Sequence, residues 1–256
     1  MRPPEKSEHQ KNAKADTGSA TKAKTIDVCL SPELMHLYDV SDRTVVVVDI
    51  LRATSCMVTA FAHGVGSITP FADLEACKAM KNKGYITSGE RDGKKVVGFD
   101  KGNSPFEYMG DDIKEKKIAF TTTNGTQAIE KAKGAKKIIV GSFLNLSSIV
   151  KYLLFGDSSV LIVCAGWKGK VNLEDTLFAG AVMEKMKNHM EPDCDAPLAA
   201  QHLYNQAKGD MVGFLSNSSH VRRLQRLNIS KDIEFGLTAD QYSIVPVLKG
   251  DTLLVK

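Results

Sequence analysis

The feature that most constrains the fold is TVVVVDI at residues 44–50, a nearly unbroken run of β-branched residues. A run of this kind, without polar alternation, is typical of a strand that is buried on both faces of a sheet. SVLIVCAG at 159–166 is a second such run, and KKIAFTT and KKIIVGS at 116–122 and 136–142 are similar. Because strands buried on both faces need helices on both sides, these runs indicate a layered α/β architecture.

Helical patterns separate the strand-like runs. Apolar residues recur with helical spacing at 55–64, 73–84, 126–134, 173–189 and 196–208. Weaker strand patterns lie at 25–30, 67–71 and 85–90 and in the C-terminal segments IVPVL and TLLV. The alternation predicts an α/β fold with a mixed or largely parallel sheet flanked by helices. One domain over 25–256 is expected, with two subdomains that divide near 135–150 and hold the site between them as an open alternative.

The charge of the chain is concentrated at its N-terminus. Residues 1–24 contain six basic and three acidic residues, a net +3 of the +4 carried by the whole chain. This segment is poor in apolar residues, so we expect a disordered basic tail. The remaining residues have no basic block that would form a nucleic-acid groove, and we expect no nucleic-acid partner.

Membrane and disulfide patterns are also missing from the sequence. No apolar run approaches the roughly 20 residues of a membrane span, and the N-terminus has no signal-peptide pattern. Five scattered cysteines without C-x-x-C spacing are typical of reduced thiols. We therefore expect a cytoplasmic protein with no membrane partner, and the sequence leaves a homo-oligomer open.

Polar side chains follow four of the predicted strands. In α/β sheets, ligands bind beyond the carboxyl ends of the strands, so these side chains are expected to meet at one site. Asp49, Arg52 and Thr54 belong to the strand at 44–50, and Glu90 and Arg91 to the strand at 85–90. The TTTNGT turn ends the strand at 116–122, and the strand at 159–166 is associated with Cys164, Lys168, Glu174 and Asp175.

The TTTNGT turn at 121–126 suits an anion. The hydroxyls of Thr122, Thr123 and Thr126, with Asn124, lie where a strand hands over to a helix N-terminus. Gly125 is expected to allow a positive φ or the close approach of a ligand. The alternative is that the threonines and asparagine only cap the helix.

Two further elements suit an anionic ligand. The planar guanidinium of Arg52 is expected to clamp an anion, with a structural salt bridge as the alternative. Asn103 and Ser104 in GNSP are expected either to bind substrate oxygens or to cap a short helix. Together with the threonine turn, Arg52 and the four carboxylates clustered at other strand ends favour a phosphate or sulfonate pocket.

Three common phosphatase designs are excluded by spacing. Leu51 stands where a D-x-D motif after Asp49 needs its second aspartate, and Lys170 stands where a C-x5-R motif at Cys164 needs arginine. No segment has P-loop spacing. Carboxylates without histidine ligands favour Mg²⁺ over Zn²⁺. Cys164 as a nucleophile and His220 as a general acid are weaker hypotheses, against a packed cysteine and a capping or surface histidine.

Five segments of the chain resemble the 2-phosphosulfolactate phosphatase family. They are VVVVDILRATS, SGERDGKKVVGFDKGNSPFEY, TTTNGTQAI, GSFLNLSS and VCAGWKGKVNLEDTLFAGA, in the order of that family, with weaker similarity through DIEFGLTADQYSIVPVL. The resemblance implies a Mg²⁺-dependent hydrolase that converts 2-phospho-3-sulfolactate into 3-sulfolactate and phosphate. In methanogens this step belongs to coenzyme M biosynthesis.

This chemistry assigns roles to the polar residues. Metal ligation or activation of water is expected from Asp49, Glu90, Glu174 and Asp175, with Arg52 also catalytic. Binding of the small anionic phosphoester is expected from Thr54, Asn103, Ser104, Thr122, Thr123, Asn124, Gly125 and Thr126. One departure concerns Gln127, because the family usually carries arginine after NGT. A phosphatase of altered substrate and a non-catalytic binding protein for a small anionic metabolite are therefore alternatives.

Overall fold

The computed structural model describes residues 23–255, so nearly all of the predicted basic tail lies outside the described residues. Eleven strands are formed within them: β1 (Thr25–Cys29), β2 (Thr44–Val48), β3 (Ser67–Pro70), β4 (Ile86–Arg91), β5 (Lys94–Lys95), β6 (Lys117–Thr121), β7 (Lys137–Gly141), β8 (Val160–Cys164), β9 (Glu191–Pro192), β10 (Val247–Lys249) and β11 (Thr252–Leu254). The helices are α1 (Ala53–Ala62), α2 (Leu74–Ala79), α3 (Gly125–Lys131), α4 (Leu146–Leu154), α5 (Leu173–Met186), α6 (Asp195–Ala207), α7 (Met211–Leu215), α8 (Ser219–Gln225) and α9 (Ser230–Gly236). Short 3-10 turns include Pro105–Tyr108, which follows the GNSP segment.

Two groups of parallel strands, here called arms, make up most of the sheet. In the first, β2 lies between β7 and β8, and Val45 pairs with Ile138 on one side and Leu161 on the other. All residues of β2 and β8 are buried, as their β-branched composition predicts. In the second arm, β6 lies between β3 and β4.

An antiparallel hairpin joins the two arms. The order is β5-β4-β6-β3-β11-β10-β7-β2-β8-β1-β9, with β11 against β3 and β10 against β7. The prediction of a mixed, largely parallel sheet flanked by helices is confirmed. The subdomain division near 135–150 stays a prediction; β6 and β7, on either side of its start, belong to different arms.

The two arms share one hydrophobic core. Val45 and Val47 of β2 pack in the same cluster as Ile118 and Phe120 of β6, together with residues of α1 and α3. The carboxyl ends of β2 and β6 therefore come close in space although four strands separate them in the sheet. Residues that follow strands of both arms can thus reach a single cleft.

Helix α5 is more deeply placed than its sequence suggests. The pattern at 173–189 predicts an amphipathic helix, but every residue from Glu174 to Val182 is buried. The cause is a close contact with α6, where the carbonyl of Ala200 lies against Gly180. Glu174 and Asp175, in the first turn of the helix, are buried as well. None of the helices within residues 23–255 has the length and apolarity required to cross a bilayer.

Candidate active site

A narrow polar cleft lies beyond the carboxyl ends of β2, β4, β6 and β8 and is closed by α8. Its volume of about 20 Å³ is room for about one water molecule or ion. The lining residues are Asp49, Leu51, Arg52, Glu90, Gly93, Asn103, Thr123, Asn124, Trp167, His220, Arg223 and Leu224. Six of the predicted site residues are among them. A larger groove of about 640 Å³, near Tyr152 and Phe155, shares none of these residues.

Asp49 follows β2 at the base of the cleft. Its Oδ1 accepts a hydrogen bond from the N–H of Ala53 (3.3 Å), and no side-chain or backbone donor within residues 23–255 reaches its Oδ2. The hydroxyl of Thr54 donates to the carbonyl of Asp49 and accepts from its N–H, so Thr54 holds the turn and does not face the cleft. Burial raises the pKa of Asp49 to about 6, with His220 opposing the shift and Glu90 adding to it.

Glu174 and Asp175 are neighbours in the chain with different surroundings. Asp175 accepts from the N–H of Ile50 (2.9 Å) through Oδ1 and from the N–H of Gly166 (3.0 Å) through Oδ2. Burial raises its pKa well above the ordinary carboxyl value, and the two N–H donors oppose this. Glu174 has Oε1 against His220, while its Oε2 is buried without a hydrogen-bond partner among the described residues.

His220 is the principal site residue that the sequence underrated. Its Nδ1 bonds to Glu174 Oε1 and lies 2.9 Å from the side-chain nitrogen of Asn172. A carboxylate partner requires the proton on Nδ1, which leaves Nε2 as the nitrogen that can exchange a proton in the cleft. Glu174 lies 46 residues earlier in the chain, so no local pattern could show the pair.

Glu90 connects two turns at the mouth of the cleft. Its Oε2 accepts from the N–H of Gly93 (2.6 Å), and its Oε1 accepts from the N–H of Thr123 (2.8 Å). Both oxygens therefore have backbone partners. The Thr123 hydroxyl is buried without a partner, and Asn124 accepts from the N–H of Lys168 (3.0 Å).

The hydroxyls of Thr122 and Thr126 form their hydrogen bonds within the TTTNGT turn. The Thr126 hydroxyl donates to the carbonyl of Thr122 and accepts from its N–H, and the Thr122 hydroxyl accepts from the N–H of Thr126. Gly125 does not have a positive φ, contrary to one of the two reasons expected for it. Glycine is needed there because a Cβ would lie 2.7 Å from the Cβ of Ala53 and 2.8 Å from Oδ2 of Asp49.

Arg52 forms a buried ion pair, the alternative left open by the sequence. Its Nη1 lies 2.5 Å from Asp232, and its Nη2 donates to the carbonyl of Gly93 (3.1 Å). Ser104 donates to the other oxygen of Asp232 (2.9 Å), so it braces this pair and does not line the cleft. Asn103 lines the cleft, and its Oδ1 is buried without a partner among the described residues.

Cys164 and Gln127 lie away from the cleft lining. Cys164 is fully buried, and burial raises the pKa of its thiol well above the ordinary value, which disfavours a nucleophilic thiolate. Gln127 is exposed, and its amide nitrogen donates to the carbonyl of Ala72 (3.1 Å).

The four predicted metal-ligating carboxylates do not converge as one set. Within residues 23–255, no three His, Cys, Asp or Glu side chains form a ready-made metal site. The donor atoms still available are of the kind that a hard cation takes: Glu174 Oε2 and Asn103 Oδ1 are buried without partners among the described residues, and Asp49 accepts its bond from Ala53 through Oδ1 only. Mg²⁺ in proteins is often held by one or two carboxylates, with waters and substrate phosphate completing its shell. These residues therefore fit Mg²⁺ with fewer ligands than the sequence suggested.

Comparison with known proteins gives consistent results. A probable 2-phosphosulfolactate phosphatase from Caldanaerobacter subterraneus subsp. tengcongensis is 40% identical over 217 residues, which cover 82% of this chain and 90% of that protein. A protein of the same name from Thermotoga petrophila is 39% identical over 231 residues, or 90% of this chain and 98% of the relative. One from Microcystis aeruginosa is 33% identical over 234 residues, covering 88% and 97%.

The family profile extends over nearly all of the described structure. The profile of 2-phosphosulpholactate phosphatase matches residues 29–251, which include every residue that lines the polar cleft. With this match and relatives of 33–40% identity, the chain belongs to the 2-phosphosulpholactate phosphatase family.

Proposed function

We propose that the protein is a Mg²⁺-dependent phosphatase that hydrolyses 2-phospho-3-sulfolactate to 3-sulfolactate and phosphate. Family membership and the printed names of the relatives support this substrate. The observation that carries the proposal is the buried Glu174–His220 pair, which faces Asp49 across a polar cleft at the strand ends. The free thiols, four of them buried, suit the cytoplasmic location that we also propose.

The reaction needs a proton acceptor for the attacking water. Water attacks phosphorus and gives up a proton, the bond between phosphorus and the C2 oxygen breaks, and the leaving oxygen takes that proton back, directly or through solvent, as the hydroxyl of 3-sulfolactate. We assign the removal of the water proton to Nε2 of His220. Glu174 fixes the tautomer of the imidazole and stabilises the charge that the ring acquires, as carboxylate partners of histidine do in hydrolases.

The cleft also needs positive charge, because the substrate carries several negative charges and the carboxylates of Asp49 and Glu90 line the cleft. Mg²⁺, when bound, supplies charge neutralisation at the phosphoryl oxygens. Asp49, Glu174 and Asn103 would hold it. The raised pKa of Asp49 is consistent with this role, because a buried carboxylate without a counter-ion gains most from a cation.

The binding-protein alternative loses its main support. It rested on Gln127 in place of the arginine usual in the family, and the Gln127 side chain is outside the polar cleft and bonded to Ala72. Gln127 lines a neighbouring pocket of about 300 Å³ that shares Thr123 and Asn124 with the cleft, so its substitution alters that pocket and leaves Asp49, Glu174 and His220 in place.

The test is release of inorganic phosphate by the purified protein. We expect turnover of 2-phospho-3-sulfolactate that is abolished by EDTA and restored by Mg²⁺. Undiminished activity in chelator would overturn the metal assignment and leave the phosphatase assignment standing. Binding of the ester without phosphate release, with Mg²⁺ present, would instead favour the binding protein. A generic phosphoester assayed in parallel measures how strictly the enzyme selects its substrate.

A further inference from the structure

Arg223 is a cleft residue that the reaction outlined above does not use. It lies on α8, three residues after His220, and lines the same cleft. Its guanidinium carbon lies 4.1 Å from the centroid of the Trp167 ring, at stacking distance. The two residues come from segments about 56 positions apart, so the stack exists only in the folded protein.

Arg223 differs from the other cations around the cleft in having no carboxylate partner. Arg52 is paired with Asp232, and Lys168 is paired with Asp92 at 2.9 Å. Among residues 23–255, Arg223 makes no ion pair, and its Nε is buried without any hydrogen-bond partner. A buried nitrogen donor without a partner is costly unless a ligand binds it.

The ring of Trp167 prepares Arg223 for a planar contact. Stacking restricts the guanidinium plane and lowers the entropy lost when a ligand binds. A guanidinium can donate two parallel hydrogen bonds to an oxyanion, which a lysine cannot do. The carboxylates of Asp49 and Glu90 line the other part of the cleft, with Glu174 buried beside His220, and they would repel an anion that is not bound to metal.

We propose that Arg223, packed over the ring of Trp167, binds the sulfonate of the substrate and so makes the enzyme selective for sulfonated esters. This inference rests on the proposed function. The phosphate must lie by His220 and the carboxylates, where it meets water and metal. The sulfonate is the remaining tetrahedral oxyanion of the substrate, and Arg223 is the cleft cation with free donors.

The test compares two esters, 2-phospho-3-sulfolactate and 2-phospholactate, which lacks the sulfonate and keeps the carboxylate. For Arg223→Met we expect kcat/KM on the sulfonated ester to fall about 10- to 150-fold, the equivalent of about 1.5–3 kcal/mol for hydrogen bonds to a charged group. On 2-phospholactate we expect a change of less than about threefold, which corresponds to less than about 0.7 kcal/mol. Arg223→Lys should recover only part of the loss, because lysine restores the positive charge but cannot donate two parallel hydrogen bonds to one oxyanion.

Arg222→Met is the matched control, since Arg222 is the exposed neighbour on the same helix. It should leave both rates unchanged. Equal losses on both esters for Arg223→Met would overturn the proposal and indicate contact with phosphate or carboxylate. An unchanged ratio with full activity would overturn it as well.

Product binding separates this inference from the proposed function. By calorimetry, the wild type should bind 3-sulfolactate more tightly than lactate, and Arg223→Met should abolish the difference. If the wild type hydrolyses neither ester but shows this Arg223-dependent preference, the sulfonate site stands and the phosphatase assignment fails. If hydrolysis occurs and Arg223→Met keeps the preference, the sulfonate site fails alone.

Discussion

The turn after β6 and the segment after β8 flank the same cleft, yet they use their polar groups differently. After β6, the hydroxyls of Thr122 and Thr126 bond to the backbone of their own turn. After β8, Glu174 keeps a buried oxygen without a partner. A polar residue at a strand end is therefore available for chemistry only when the local backbone does not already occupy its atoms. Sequence position alone does not distinguish the two cases.

The contrast is sharpest within one dipeptide. Asp175 uses both oxygens to hold the backbone of Ile50 and Gly166, whereas Glu174 bonds to a side chain that faces the cleft. Both are fully buried acids in the first turn of the same helix. A substitution of Glu174 should therefore mainly reduce catalysis, and a substitution of Asp175 should mainly reduce stability.

The largest effect is expected for Glu174→Gln. Removing the charge that orients and supports His220 should lower kcat by about 10²- to 10⁴-fold, the usual scale for a general acid–base group. The melting temperature should change little, because glutamine fills the same space. His220→Asn should give a loss of similar size, and the double variant should lose little more, since the pair acts as a unit. Losses that multiply in the double variant would contradict this pairing.

Asp175→Asn should reduce stability more than catalysis, the opposite of what we expect for Glu174→Gln. The amide can accept from only one of the two backbone N–H groups and turns a donor toward the other. We expect the free energy of unfolding to fall by about 2–3 kcal/mol, the cost of leaving a buried group unsatisfied. Denaturant titration measures this. The kcat of the folded fraction should fall far less than for Glu174→Gln, and an equal fall would place Asp175 in the chemistry.

Within the TTTNGT turn, Thr123→Val and Thr126→Val form a matched pair. Thr123 has an unpartnered hydroxyl at the cleft, so its loss should reduce kcat/KM by about 10- to 150-fold, or about 1.5–3 kcal/mol. Thr126→Val should lower the melting temperature and leave the folded fraction active, because its hydroxyl serves only Thr122. If Thr123→Val affects only melting, the hydroxyl is structural and substrate binding lies elsewhere.

The smallest effect concerns Asp49 and pH. Because burial raises its pKa from 3.8 to about 6, the folded state holds a proton that the unfolded state has lost between these values. Stability without metal should therefore fall as pH rises from about 4 to 6 and stay lower above that. Asp49→Asn should remove this dependence and raise the free energy of unfolding at pH 8 by about 1–2 kcal/mol.

Magnesium provides the control for that prediction. Because metal ligation requires the ionised carboxylate, Mg²⁺ should stabilise the wild type increasingly as pH rises through about 6. It should have little effect on Asp49→Asn. Equal stabilisation of both proteins in thermal melts would remove Asp49 from the metal site.

The sequence predicted the strands and helices better than the strand order and the contacts between distant side chains. The β-branched run at 44–50 identified β2 because burial on both faces leaves a compositional signature. The helical pattern at 73–84 also matches the structure at both ends, where Asp73 caps α2 and Gly84 adopts a left-handed conformation. The C-terminal strands were also predicted, but their insertion between the two arms was not, because strand order depends on contacts far apart in the chain.

The location of the site was predicted from the sequence, whereas several of its side-chain pairs were not. Strand ends bring Asp49, Glu90 and Thr123 together whatever their detailed partners, so a general rule of α/β sheets sufficed. The pairing of Arg52 with Asp232, 180 residues later, leaves no local trace. Nor does the stack of Arg223 on Trp167. In the short segment HVRR, one histidine and two arginines give no sign of which of them turn toward the cleft.

The position of the β10–β11 hairpin has a consequence for how the protein folds. It joins the two parallel arms, but along the chain it follows every residue that lines the cleft. Pairing of β11 with β3 closes a loop of about 185 residues, from Ile68 to Leu253, and such distant pairings make folding slow. During synthesis, each arm can form early, whereas the junction must wait until residues 247–254 have emerged. The polar cleft should consequently be among the last features to assemble, and the uncovered edges of the arms are where a nascent chain is most exposed to aggregation.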